Sequence, residues 1–186
     1  MKITNFILFQ LAWFITIISA AKGMPYIGVA FTMIWMLLHL SIMEELRNTE
    51  IKLFLFAAIL GYLLDSILVV TGFIAFPEHT LLVGPSPLWM VCLWINLTAT
   101  INLSLSWLEG RYLLAGALAA VAGPMAYVAG EKLGAITLFG NTAIFVVSIV
   151  WCLAMPLLVW VSAYLIRQQL IQEQIIPLNM EKTEWR

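Results

Sequence analysis

The chain has little charge. Of its 186 residues only 10% are Asp, Glu, Lys or Arg, and the formal net charge is −1. A balance so sparse and so near neutral argues against nucleic acid or an acidic surface as the main partner. Histidine and cysteine are also scarce, at two each. A His-rich metal centre is therefore excluded. No HExxH, CxxC, glycine-rich phosphate loop or GxSxG occurs, so no catalytic residue, metal ligand or cofactor is assigned. Cys92 and Cys152 lie inside apolar runs and read as small apolar fillers, not as a redox pair. Soluble domains, internal repeats and low-complexity tracts are absent as well.

What the chain has instead is apolar length. It is 63% hydrophobic with a mean hydropathy of +1.00, more than a soluble domain of this size needs. Apolar runs recur throughout. The expected fold is all-α, a polytopic transmembrane helix bundle of about six spans in one domain, near 3–20, 24–43, 53–76, 88–108, 112–129 and 142–166. Residues 1–21 also have the features of a signal peptide, with Lys2, an apolar run and small residues at Ser19-Ala20-Ala21, but Gln10, Trp13 and the length favour a retained helix. The stretch from Glu44 to Lys52 reads as a polar loop. Pro77 to Pro87 reads as another, with His79 solvated and Leu81-Leu82-Val83 dipping into the interface. From Arg167 the tail is polar, with apolar residues spaced to lie on the membrane surface.

Six spans put both termini on one side. That side carries Lys2, Arg47, Lys52, Arg111, Arg167, Lys182 and Arg186, and the other carries Lys22 and Lys132. Positive charge stays in the cytoplasm, so both termini are expected there. Glu131 and Lys132 read as an interface anchor on the outer side. Small residues at Ala58, Gly61 and Gly72, and from Ala115 to Ala126, mark close helix contacts. Pro124 and Pro156 are candidate kinks.

The fourth span is the most polar. Placed on a helical wheel, Asn96, Thr100 and Ser104 share one side, Thr98, Asn102, Ser106 and Glu109 another, and Trp94, Leu97, Ile101, Leu105 and Leu108 the arc between. That pattern suits the central helix of a bundle. Asp65, in the third span, reads as the only acid well inside a span. An acid at that depth is costly, so it faces the interior and has a partner or a proton. Its depth matches that of Asn96 to Asn102, so an amide or hydroxyl partner is expected, and Asp65, Asn96, Thr100 and Asn102 form the candidate intramembrane cluster. Whether it binds a ligand head group or a proton, or fixes helix register, stays open. Closer to the cytoplasm, His39, Glu44, Glu109 and Arg111 are the candidates for an inner pocket. Asn96-Leu-Thr98 and Asn102-Leu-Ser104 match the glycosylation pattern, but inside a span neither is an acceptor.

Pro87-Leu88-Trp89 leading to Leu93-Trp94, then Thr100-Ile-Asn102-Leu-Ser104-Leu-Ser-Trp107-Leu108, resembles a family of small bacterial inner-membrane proteins known only as a domain of unknown function. Leu64-Asp65-Ser66, Gly123-Pro124 with Ala126-Tyr127, and Gly130-x-Lys132-Leu-Gly134 fit it too. The resemblance implies a multi-pass protein of the bacterial plasma membrane with no established activity. It also implies an association with fatty-acid or lipid modification. Three functional readings follow. One is a non-catalytic component of envelope or lipid metabolism that binds a lipid-like molecule or a membrane protein partner. Another is a small proton-linked transporter or channel using Asp65. The third is a lipid-modifying enzyme working through His39, Glu44 or Glu109.

Overall fold

A computed structural model describes residues 1–77 and 84–183, with the backbone alone for 174–183. The expectations for His79 and Leu81–Val83 fall outside the described residues. The described residues form six α-helices: α1 Lys2–Ala21, α2 Pro25–Ile42, α3 Arg47–Val70, α4 Leu88–Thr98, α5 Tyr112–Lys132 and α6 Gly140–Thr183. All but α4 are long and apolar enough to cross a membrane. Two short strands, β1 Ile74–Ala75 and β2 Thr137–Leu138, pair antiparallel and tie the loop after α3 to the loop after α5. They mark one end of the bundle, the strand end. The opposite end, where α1 begins and α6 leaves, is the tail end.

Helices α1, α3 and α5 stop at the strand end in the same way. Each is followed by a glycine with positive φ, Gly23, Gly72 and Gly134. The next amide reaches back across the turn, Met24 N to Ser19 O, Phe73 N to Leu68 O and Ala135 N to Gly130 O. This Schellman closure satisfies carbonyls that the helix end would otherwise leave bare.

Side chains such as Leu113, Leu153 and Val70 on the long helices stand exposed. So much outward apolar surface suits a lipid surround and no aqueous one. Inside, the helices meet through small and polar groups. Along the α1–α2 seam Gly28 lies against Thr16, whose hydroxyl is 3.2 Å from that of Thr32, and Gly28 N donates to Ser19 Oγ at 3.1 Å. The α5–α6 pair offsets one of its own prolines. Pro124 removes the donor for the Ala120 carbonyl, and Ser148 Oγ of α6 donates to that oxygen at 2.6 Å. Pro156 does the same to the Cys152 carbonyl, and Gly116 of α5 lies against that oxygen, where a Cβ would crowd it.

The fourth span departs from the wheel drawn for it. Its helix ends at Thr98, and the chain continues as turns to a single 3-10 turn, Ser106–Leu108. At 1.5 Å per residue α4 is about 16 Å long, roughly half the hydrocarbon thickness. Two of the polar residues that made the segment look central stand where its helix ends. Thr98 Oγ1 donates to Ile95 O at 2.7 Å and Thr100 Oγ1 to Leu97 O at 2.6 Å, sharing these acceptors with the Ala99 and Thr100 amides. Irregular backbone at this depth requires protein around it. From Trp89 to Ser106 every residue is buried or half-buried, and α4 packs on α1, α2 and α3.

Further boundaries shift, and α3 ends at Val70, six residues short of the expected 76. Helix α3 begins at Arg47, so Thr49 and Glu50, assigned above to a polar loop, are helical and buried. The tail from Arg167 does not turn along the membrane; it continues α6, and Gln169 docks on the α2–α3 turn, accepting from Thr49 Oγ1 at 2.7 Å and donating to Glu45 O at 2.6 Å.

Candidate functional site

Asp65 is wholly buried in the interior of the bundle. Its partners are an indole and a phenol, and the expected amide or hydroxyl from Asn96, Asn102, Thr98 or Thr100 is not among them. Trp94 Nε1 of α4 donates to one oxygen at 2.8 Å, and the Tyr127 hydroxyl of α5 donates to the other. The surroundings explain the choice. Gly61, one turn before Asp65, leaves room for the Trp94 ring, and Gly123, one turn before Tyr127, leaves room for the Trp151 ring; a Cβ at either glycine would overlap the indole. The two indoles stack with centroids 4.4 Å apart and planes 8° apart. Thus Gly61, Trp94, Trp151 and Gly123 form one sandwich across α3, α4, α6 and α5, and the Asp65–Tyr127 contact closes it.

Beside this lock lies a crevice of about 250 Å³. Helix α1 packs on α2 and α4, α5 packs on α6, and neither α1–α5 nor α1–α6 is a close pair. The crevice occupies that gap. Trp13 and Ile17 of α1, Leu97 of α4, Ala119 and Ala126 of α5 and Met155 of α6 line it, with Trp94, Tyr127 and Trp151 as its floor. Ile136 stands toward its strand end and Trp107 toward its tail end. Its lining is apolar almost throughout.

A second buried acid sits at the tail end. Glu50 and His39 are both fully buried, with His39 Nε2 3.1 Å from Glu50 Oε2. The other Glu50 oxygen accepts from Asn102 Nδ2 at 2.7 Å, and Ser162 Oγ donates to Asn102 Oδ1 at 2.7 Å. His39 Nδ1 has no hydrogen-bond partner among the described residues. The irregular segment after α4 is therefore fastened to α2, α3 and α6 through one chain of polar side chains. A cleft of about 100 Å³ beside Asn102, Ser106 and Ser162 reaches this chain from the tail end, with Glu109 at its border.

The candidate cluster of Asp65, Asn96, Thr100 and Asn102 is thus divided. Asp65 and Glu50 lie fifteen residues apart on α3, about 22 Å along the axis. Asn102 belongs to Glu50. Asn96 Nδ2 holds α1 through Phe9 O at 3.0 Å, and Thr100 bonds its own helix end. The second candidate set divides too. His39 pairs with Glu50; Glu44 is 77% exposed and lies 3.8 Å from Arg47; Glu109 and Arg111 are exposed. Glu131, read as an anchor, accepts from Leu138 N at 2.8 Å and so helps fix β2.

Sequence reasoning missed Glu50, Trp94, Tyr127, Trp151 and Ser162. A signal for the first was present. Glu50, Phe54, Ala57, Gly61, Asp65 and Leu68 recur at steps of three and four, the stripe of one buried helix face. The model of the family described as Protein of unknown function (DUF2878) matches residues 2–157. The chain belongs to this family. The two buried acids, Asp65 and Glu50, fall within the matched range, as does the crevice. No curated protein and no solved structure matches the chain.

Proposed function

We propose that this DUF2878 protein is a non-catalytic membrane component that takes a lipid-like chain into the crevice between α1 and α5. One observation carries the reading: a gap of about 250 Å³ between two helices that are not a close pair, lined by apolar and aromatic side chains and backed by the stacked indoles. A lined apolar pocket on a fixed scaffold is what a hydrophobic ligand requires. An apolar cavity also stays dry, so the gap holds a hydrocarbon better than water. The floor is fixed because Asp65 already has both oxygens engaged.

The rival readings have less support. A proton-linked transporter built on Asp65 needs a wet path to it, and the space nearest its partners is apolar. An enzyme working through His39, Glu44 and Glu109 needs those groups together, and His39 is engaged with Glu50 while Glu44 stands on the surface. The family resemblance, the apolar helices and the charge asymmetry support a bacterial inner-membrane location with both termini in the cytoplasm.

The test is native mass spectrometry of the full chain extracted from its membrane. The wild type should carry a bound lipid-like molecule. Ala122→Trp, whose new ring enters the crevice from an exposed position, should lose it while keeping the thermal midpoint of the wild type. A wild type free of any such molecule, or a variant that retains it, overturns the proposal.

A further inference from the structure

A second apolar groove lies on the far side of α5, away from the crevice. It has a volume of about 680 Å³ and runs between α5 and α6. Its floor is Ala120, Pro124 and Ala129, and its walls include Val121, Met125 and Phe145, which are 61%, 65% and 66% exposed. The Ala120 carbonyl that Pro124 strands is not left bare in the floor, because Ser148 Oγ donates to it. At the strand end the groove finishes on Lys132 and Asn141. The carboxylate next to Lys132 in sequence, Glu131, is engaged by Leu138 N. The exposed Lys132 therefore stands at the mouth as a cation with no ion pair among the described residues.

We propose that this groove binds an anionic glycerophospholipid, one acyl chain between α5 and α6 and its phosphate on Lys132 and Asn141. Length and charge both fit. From Ala120 to Lys132 the groove spans about 18 Å along α5, close to half of the roughly 30 Å hydrocarbon core. That is the depth of one leaflet, and the two polar groups stand at the end where the head group of that leaflet lies. Lys132 at the mouth favours an occupant that carries an anion as well as an acyl chain.

The inference is independent of the α1–α5 crevice, and its test separates the two. Full-length protein in detergent is titrated with phosphatidylglycerol or phosphatidylcholine and followed by native mass spectrometry. Phosphatidylglycerol should bind about fivefold tighter, the roughly 1 kcal/mol of one lysine at an anionic membrane surface. Lys132→Ala should abolish that preference, and Ala122→Trp should preserve it. Equal binding of the two lipids, or a preference that survives Lys132→Ala, overturns the proposal. So does a disulfide between two copies of Met125→Cys formed in the native membrane, since the groove would then be an interface.

Discussion

At the scale of single residues, the centre of the molecule is a carboxyl held by two donors that have nowhere else to go. Asp65, Trp94 and Tyr127 are all buried. Asp65→Leu strands both an indole N–H and a phenol hydroxyl in an apolar interior, at about 1–3 kcal/mol each. The thermal midpoint in detergent should fall sharply. Tyr127→Phe removes the phenol hydroxyl and leaves one Asp65 oxygen buried without its donor, so it should also cost about 1–3 kcal/mol. The double variant Asp65→Leu with Tyr127→Phe should then be less destabilised than the sum of the two, because one of the orphans is gone. Additive losses, or an Asp65→Leu protein that melts like the wild type, would refute the lock. Gly61→Ala and Gly123→Ala push a methyl into Trp94 and Trp151 respectively. Overpacking of this kind costs about 1–3 kcal/mol, and the near-ultraviolet circular dichroism of the stacked pair should weaken with it.

At the scale of elements, α4 and the irregular chain after it decide how the bundle is joined. Asn102 is the hinge pin: it donates to Glu50 on α3 and accepts from Ser162 on α6. Asn102→Leu takes one hydrogen bond from a buried carboxyl, worth about 1.5–3 kcal/mol for a charged acceptor. Amide exchange should then accelerate across 99–108 while α1 and α5 stay protected; uniform acceleration would mean the segment is not a separate joint. The same element marks the limit of what the sequence revealed. Hydropathy located the long spans because lipid allows nothing but apolar helices there. It also drew α4 ten residues too long, since Ile101, Leu103 and Leu105 are as apolar as any helix residue. Where the helix ends, the Thr98 and Thr100 hydroxyls share main-chain acceptors with backbone N–H groups, a local feature that composition does not register. Glu50 was hidden for the opposite reason. It sits in a charged run, Glu44 to Lys52, that looks solvated, yet helical phase turns it inward. Asp65 was legible as a buried acid from its isolation alone. Its partners were not, because tryptophan and tyrosine in a membrane protein read first as interface residues or packing.

At the scale of the whole molecule, the charges sort by end. Lys2 bonds Ser106 Oγ at 3.0 Å, and Arg47 and Arg111 stand at the start of α3 and α5, all at the tail end; Lys22 and Lys132 stand at the strand end. Helix α6 adds to the asymmetry. Its 44 residues extend about 66 Å, more than twice the hydrocarbon core. The end that emerges carries Arg167 and Lys182. If basic residues are held in the cytoplasm, the tail end is cytoplasmic and the strand end faces out. Two cysteine variants decide this. Lys22→Cys and Glu44→Cys each place a thiol at an exposed position on opposite ends, while Cys92 is buried and Cys152 is half-buried within an apolar span. A membrane-impermeant maleimide should label Lys22→Cys in intact cells and Glu44→Cys only after lysis, with the native protein silent. The reverse pattern would turn the molecule over. It would then put Lys132, and the groove that ends on it, in the cytoplasmic leaflet, and would leave the cytoplasmic surface with the poorer share of positive charge.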